Sequence, residues 1–164
     1  MAVGDEELPE LAAVAGVRLA AVSAGIKTPG HNDLVLVEAA PGTNCAAVFT
    51  RNAFCAAPVT VAREHLRACI GKPRYLLINT GNANAGTGDA GISDARACCS
   101  RVADLAGVDP SQVLPFSTGV IGEPLPVARI EAGVPEAFAA LAPDAWPAAA
   151  AGILTTDTRP KGCS

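Results

Sequence analysis

Basic charge, aromatic side chains and long apolar runs are all scarce in this chain. Lys and Arg number 12 against 16 Asp and Glu, for a net charge of −4 and a pI of about 5.1. A chain of that sign has no basic surface from which a polyphosphate could release counterions, so nucleic acid is excluded as an expected partner. Aromatics are 4% of the residues, which leaves no large stacking platform. No apolar stretch reaches the roughly 18 residues that a membrane span needs, so no membrane partner is expected. The opening Met-Ala-Val-Gly-Asp-Glu-Glu is acidic where a secretory signal is basic and then apolar, so a cytoplasmic protein is expected. There is no Cys-x-x-Cys, and His31 and His65 are the only histidines. Zinc takes four closely organised ligands, so no metal site is expected. The six cysteines are read as thiols, because nothing indicates an oxidising compartment. The two histidines stand between polar neighbours and are read as surface residues.

What is present is a strongly apolar, alanine-rich chain: 50% of the residues are hydrophobic and the mean hydropathy is +0.32. That composition excludes disorder and predicts a core of Val, Leu, Ile and Ala. Its 164 residues suit a single domain, with residues 1–10 a frayed acidic start. Val17–Val22, Asp33–Glu38, Ala46–Thr50 and Arg74–Asn79 read as strands closed by turn residues, and the first four strands are expected to form an antiparallel meander. Apolar residues on both faces of Leu34–Val37 imply a central strand. Ser93–Ala106 reads as a helix stopped by Gly107, and Val113–Phe116 as a buried strand running into a glycine turn. Ala128–Leu141 reads as a second helix whose first turns Gly133 and Pro135 disturb, and Ala148–Leu154 as helix passing into strand. Strands first, then helices alternating with strands, give an α/β layered domain.

Three segments offer chemistry. Gly86-x-Gly88-x-x-Gly91 formally fits a dinucleotide fingerprint, but six residues separate Gly86 from the end of the strand, and a turn stands where the acidic ribose partner belongs. A backbone-dense loop is the better reading. There the amides of Asn79, Asn82 and Asn84 either satisfy buried main-chain groups or reach toward a site. In Pro115-Phe-Ser-Thr-Gly-Val-Ile-Gly-Glu123, the Thr118 hydroxyl and the Gly119 N–H are candidate donors to charge developing on an acyl oxygen, against the plainer reading of a strand-to-loop turn. Ser117 lacks the Gly-x-Ser-x-Gly setting of a hydrolase nucleophile. Thr155-Thr-Asp-Thr-Arg-Pro-Lys161 could hold an amino acid through its hydroxyls and charges, or be a solvated exit loop.

Together the segments Gly25-Ile-Lys27 with Asp33-Leu-Val-Leu, Ala47-Val-Phe-Thr-Arg-Asn52 with Ala56-Ala-Pro-Val59, Asn79-Thr-Gly-Asn-Ala-Asn84, Ser117-Thr-Gly-Val-Ile-Gly-Glu123 and Thr155-Thr-Asp-Thr-Arg-Pro-Lys161 resemble, in order and spacing, the ornithine acetyltransferase (glutamate N-acetyltransferase) family of arginine biosynthesis. The resemblance runs from about Val17 to near the end of the chain. It implies part of a layered α-β-β-α sandwich of the kind shared with self-cleaving amidases. It also implies a precursor that cuts itself at an Ala-Thr bond into α and β chains, which remain together as a heterotetramer of two α and two β. The new N-terminal Thr of β takes acetyl from N-acetylornithine and passes it to glutamate. No cofactor is needed, although some members use acetyl-CoA as a co-substrate. By the same resemblance, Thr118 and Gly119 correspond to the oxyanion hole and Thr155 to a substrate contact.

The family continues through a further strand and a Lys-Gly-x-Gly-Met segment to the cleavage point, whereas residues 1–164 contain no Ala-Thr dipeptide. The expectation is therefore most of an α chain, inactive by itself and prone to association. The alternatives are a non-catalytic amino-acid-binding or interaction module, or a related self-cleaving amidase.

Overall fold

The computed structural model of the chain describes residues 8–26 and 28–164. Most of the acidic start, residues 1–7, and Lys27 in the first turn lie outside the described residues. Strands β1 (Val17–Val22), β2 (Leu34–Ala39), β3 (Tyr75–Asn82) and β4 (Val113–Val120) form one sheet in the order β1-β2-β3-β4. The first two pairings are antiparallel and the last is parallel. β2 is internal, as its two apolar faces require, and Leu34, Val35 and Leu36 are at most 1% exposed. The β1–β2 connection is closed by Asp33. Its buried carboxylate accepts the main-chain N–H groups of Ala24 at 2.7 Å and Ile26 at 2.6 Å, which offsets the cost of removing a charge from water.

Helices α1 (Ala57–Ala68), α2 (Gly88–Ala106) and α3 (Val127–Ala139) supply the main core with one face of the sheet. In α2, Ala95, Cys98, Cys99, Val102 and Ala103 recur at helical spacing and are buried against Ala20, Leu34, Leu36 and Leu77. Burial, with lesser contributions from Glu131 and Asp94, pushes the Cys98 thiol up to about 12, and burial raises Cys99 as well, so both pack as small apolar groups. The other face carries a smaller cluster in which Leu19, Val35, Val37 and Ile78 meet Ala149 and Trp146 of α4 (Trp146–Gly152).

Several elements depart from the sequence expectation. Ala46–Thr50 is not a strand: among the described residues no strand pairs with it, and Val48 is fully exposed. The expected four-stranded meander loses its Ala46–Thr50 member, while β1, β2 and β3 remain antiparallel neighbours; β4 then returns through α2 and lies parallel to β3. α1 is an unexpected element, begun by Pro58 in its first turn and held by buried Val61 and Ala62. α3 starts at Val127 and runs through Gly133 and Pro135. A Cβ on Gly133 would lie 3.0 Å from both Ala24 and Leu34, so the missing side chain is what lets the helix approach the sheet. Ala148–Leu154 contains no strand; α4 ends at Gly152. His65 is half-buried on α1, with its ring Nδ1 2.7 Å from the Val113 carbonyl, a bond that requires the proton on Nδ1. His31 is half-buried too, so neither histidine is a plain surface residue.

Candidate active site at the ends of the parallel strands

The polar end of the sheet is built where β3 and β4 run side by side. Asn79 pairs with Ser117, Thr80 with Thr118 and Gly81 with Gly119, and the register then breaks in an irregularity at Gly81 and Asn82. Bulges of this kind re-aim the groups that follow them. Thr118 and Gly119 therefore stand on the last residues of an extended strand and not in a turn, and the chain turns only after Val120. Gly119 has φ of 138°, and a Cβ there would lie 2.6 Å from the Asn82 nitrogen and 2.7 Å from the Gly81 Cα. Only glycine fits, and two bare main chains meet as a result.

A set of buried amides holds this end in shape. Asn79 donates to the Asn82 carbonyl at 2.8 Å, spanning the irregularity, and accepts the Ser117 hydroxyl at 2.6 Å. Asn82 donates to the carbonyls of Glu123 and Pro124, fixing the turn after β4, and accepts the Asn84 N–H at 2.8 Å. Asn84, at φ of 45°, donates to the Gly91 carbonyl and accepts the Thr87 hydroxyl. Of the two roles open to these asparagines, their bonds fit the satisfaction of neighbouring groups. The same contacts explain the glycine pattern, since a Cβ on Gly91 would collide with Thr87 and with the Asn84 amide. Packing within the loop accounts for that glycine without a dinucleotide.

Around this scaffold, Thr118 is half-buried and Gly119 exposed, so a hydroxyl and a main-chain N–H sit at an accessible, rigid strand end. Phe116, Val120 and Ile121, its neighbours in the chain, are exposed, as is Phe54. A cavity of about 280 Å³ beside Ser117 is lined by Phe49, Thr50, Pro58, Val59 and Pro115. Thr155 is half-buried in the segment after α4, where Asp157 and Lys161 form an ion pair with each other. Thr118 and Gly119 are thus brought together directly. Three residues before Thr155, the Gly152 carbonyl accepts the hydroxyl of Thr80, the register partner of Thr118, at 3.1 Å. Sequence reading missed Thr80, Gly81 and the link from Ser117 to Asn79. The signal available was that Asn79, Thr80 and Gly81 have the same kind of composition as Ser117, Thr118 and Gly119, as two strand ends in register require.

The fold is a layered α/β domain of the kind seen in two solved structures. The crystal structure of ornithine acetyltransferase from Mycobacterium tuberculosis, complexed with ornithine, matches with a TM-score of 0.82 and 37% identity over 88% of this chain and 78% of that one. The structure of arginine biosynthesis bifunctional protein ArgJ from Bacillus halodurans matches with a TM-score of 0.79 and 34% identity over 88% and 75%. In sequence, the arginine biosynthesis bifunctional protein ArgJ of Methylococcus capsulatus is 60% identical over 151 residues, 92% of this chain and 36% of that protein. Its namesake in Pseudomonas syringae is 56% identical over 164 residues, 100% of this chain and 40% of its own length. Residues 18–164 match the ArgJ family, and the chain belongs to it. It spans about two-fifths of the length of these curated relatives. Among the described residues no helix is long and apolar enough to cross a membrane.

Proposed function

We propose that this chain forms the oxyanion-bearing portion of an acetyltransferase of arginine biosynthesis that moves acetyl from N-acetylornithine to glutamate. The observation that carries this reading is the strand end with half-buried Thr118 and exposed Gly119, held by buried amides, in a chain 37% identical to an ornithine acetyltransferase solved with ornithine. The nucleophile is the N-terminal Thr of a β portion released by self-cleavage at an Ala-Thr bond, a dipeptide that residues 1–164 do not contain. Its hydroxyl attacks the acetyl carbonyl while its own α-amine takes the proton. The oxyanion formed is stabilised by the Thr118 hydroxyl and the Gly119 N–H, donors that need no reorganisation because the strand end is already rigid. Collapse breaks the amide bond, the proton passes to the departing ornithine nitrogen, and acetyl remains on the Thr. The amine of glutamate then attacks that ester, and the Thr hydroxyl is restored. Thr155 contacts the bound amino acid.

No cofactor takes part, and acetyl-CoA as a second acetyl source is a further capacity of some members. The working form is an α–β pair, doubled into a heterotetramer, in the cytoplasm. Residues 1–164 alone are inactive. The test is to combine this chain with the remaining family portion, made separately and beginning at the nucleophilic Thr, and to follow acetyl transfer from N-acetylornithine to glutamate by mass spectrometry. Transfer by the mixture and none by either part is expected. A folded mixture that transfers nothing overturns the reading.

A further inference from the structure

The structure assigns Thr80 a positioning role: its hydroxyl is the joint that holds the Thr155 segment at a fixed place relative to the Thr118–Gly119 strand end. The inference rests on the proposed roles of Thr118 and Thr155 and adds a residue to which the family resemblance gives no part. Thr80 is completely buried in β3, where its main chain pairs with Thr118 on one side and its N–H donates to the Asp33 carbonyl at 2.9 Å on the other. Its hydroxyl lies 3.5 Å from that same Asp33 carbonyl and closer, at 3.1 Å, to the Gly152 carbonyl, 72 residues further along the chain.

That carbonyl belongs to the last turn of α4, where helix carbonyls have no partner within the helix and need one from outside. Gly152 itself is seated directly on the sheet. A Cβ there would lie 2.8 Å from the Val35 side chain and 3.3 Å from that of Ala21, so no larger residue lets the carbonyl come this close. Three residues later the chain reaches Thr155. α4 is only seven residues long, and so short a helix depends on its tertiary contacts to fix its end. One buried hydroxyl therefore links the strand next to the oxyanion donors to the segment that contacts the substrate. Small displacements of a positioning group are costly to the reaction it serves.

The test uses the combined assembly of chain and remaining family portion. Thr80→Val keeps shape and removes the donor, and Thr80→Ser keeps the donor. Thr80→Val is expected to raise KM for N-acetylornithine about tenfold with kcat within about twofold, and Thr80→Ser to restore KM to within about twofold. Hydrogen exchange supplies a readout independent of activity. The amides of Ile153 and Leu154, which donate to Ala149 and Ala151, are expected to lose protection in Thr80→Val while those of β3 and β4 keep theirs. Unchanged exchange at Ile153 and Leu154, or equal effects of Val and Ser, overturns the joint.

Should Thr80→Val fail to fold, Gly152→Ala displaces the same carbonyl from the other side. A raised KM with kcat held supports the proposal, and any other pattern overturns it. Thr155→Ala separates the two levels. If it raises KM and Thr80→Val does not, the joint fails and the substrate contact stands. If Thr155→Ala leaves KM unchanged, the role of Thr155 falls and the proposal falls with it.

Discussion

The two strand pairs of the sheet are built on opposite principles. The antiparallel pair β1–β2 keeps an uninterrupted register from Val17↔Ala39 to Val22↔Leu34, with aliphatic side chains on both faces and one carboxylate closing the turn. The parallel pair β3–β4 starts in the same way at Tyr75↔Val113, but ends in glycines, hydroxyls and amides around an irregular register. In the first pair apolar burial specifies the structure. In the second the backbone itself is the packed surface, and hydrogen bonds replace the hydrophobic effect as the source of precision. Apolar packing and the candidate site are thereby housed in different halves of one sheet, with β2 and β3 joining them.

Substitutions in each pair should separate the two properties. Leu36→Ala, in the apolar pair, removes a fully buried side chain and should cost about 2–5 kcal/mol in urea unfolding. The turnover of whatever assembly remains folded should be unchanged. Thr118→Ala, in the polar pair, should do the reverse: turnover falls about 100-fold with substrate binding less affected, and stability stays within about 1 kcal/mol. A Thr118→Ala enzyme of normal rate would remove the hydroxyl from the oxyanion role. Asp33→Asn tests the closing device of the apolar pair. The two N–H groups bond to different carboxylate oxygens, and an amide would turn its NH2 donor toward one of them, so a loss of about 1–3 kcal/mol is expected, read from the same unfolding curves.

The smallest effect is on thiol reactivity, which samples the layer beneath the sheet. At pH 8 iodoacetamide should label exposed Cys163 and leave Cys98 and Cys99 unreacted until the chain unfolds. The cause is burial, which pushes Cys98 up to about 12 and so leaves it far less ionised at that pH than an ordinary thiol. Early labelling of Cys98 would mean that the core between α2 and the sheet opens readily.

The apolar pair was largely legible in the sequence and the polar pair only in part. Val17–Val22 and the doubly apolar Leu34–Val37 announce strands because burial and side-chain pattern coincide there. The same logic failed at Ala46–Thr50, where a β-favouring composition has no strand to pair with and Val48 is left in solvent. It also stopped β4 too early, at Phe116, because glycine and hydroxyl residues look like turns when the strand facing them is unknown. The first turn of α2 was hidden for a related reason. Gly88 and Gly91 read as loop residues, yet the space at Gly91 is filled by Thr87 and Asn84 from the turn before. α1 could have been found from Pro58 followed by Val61 and Ala62 at helical spacing. Thr118 and Gly119 were visible as candidate donors, but the asparagine bonds that fix them depend on contacts between distant parts of the chain. No local pattern reports those contacts.

The parallel pairing also sets an order of events when the protein acquires its shape. β1 and β2 are neighbours in the chain and can zip together from the Asp33 turn, whereas β3 and β4 must wait for the 19-residue α2 to form and fold back. The bond from Ser117 to Asn79 closes over a separation of 38 positions, and that from Thr80 to Gly152 over 72. Such long loops pay their entropy before any contact rewards them. During refolding, amide protection should therefore reach the β1–β2 hairpin first and the β3–β4 strand ends last, so an immature chain passes through a stage that has a sheet but not yet the proposed site.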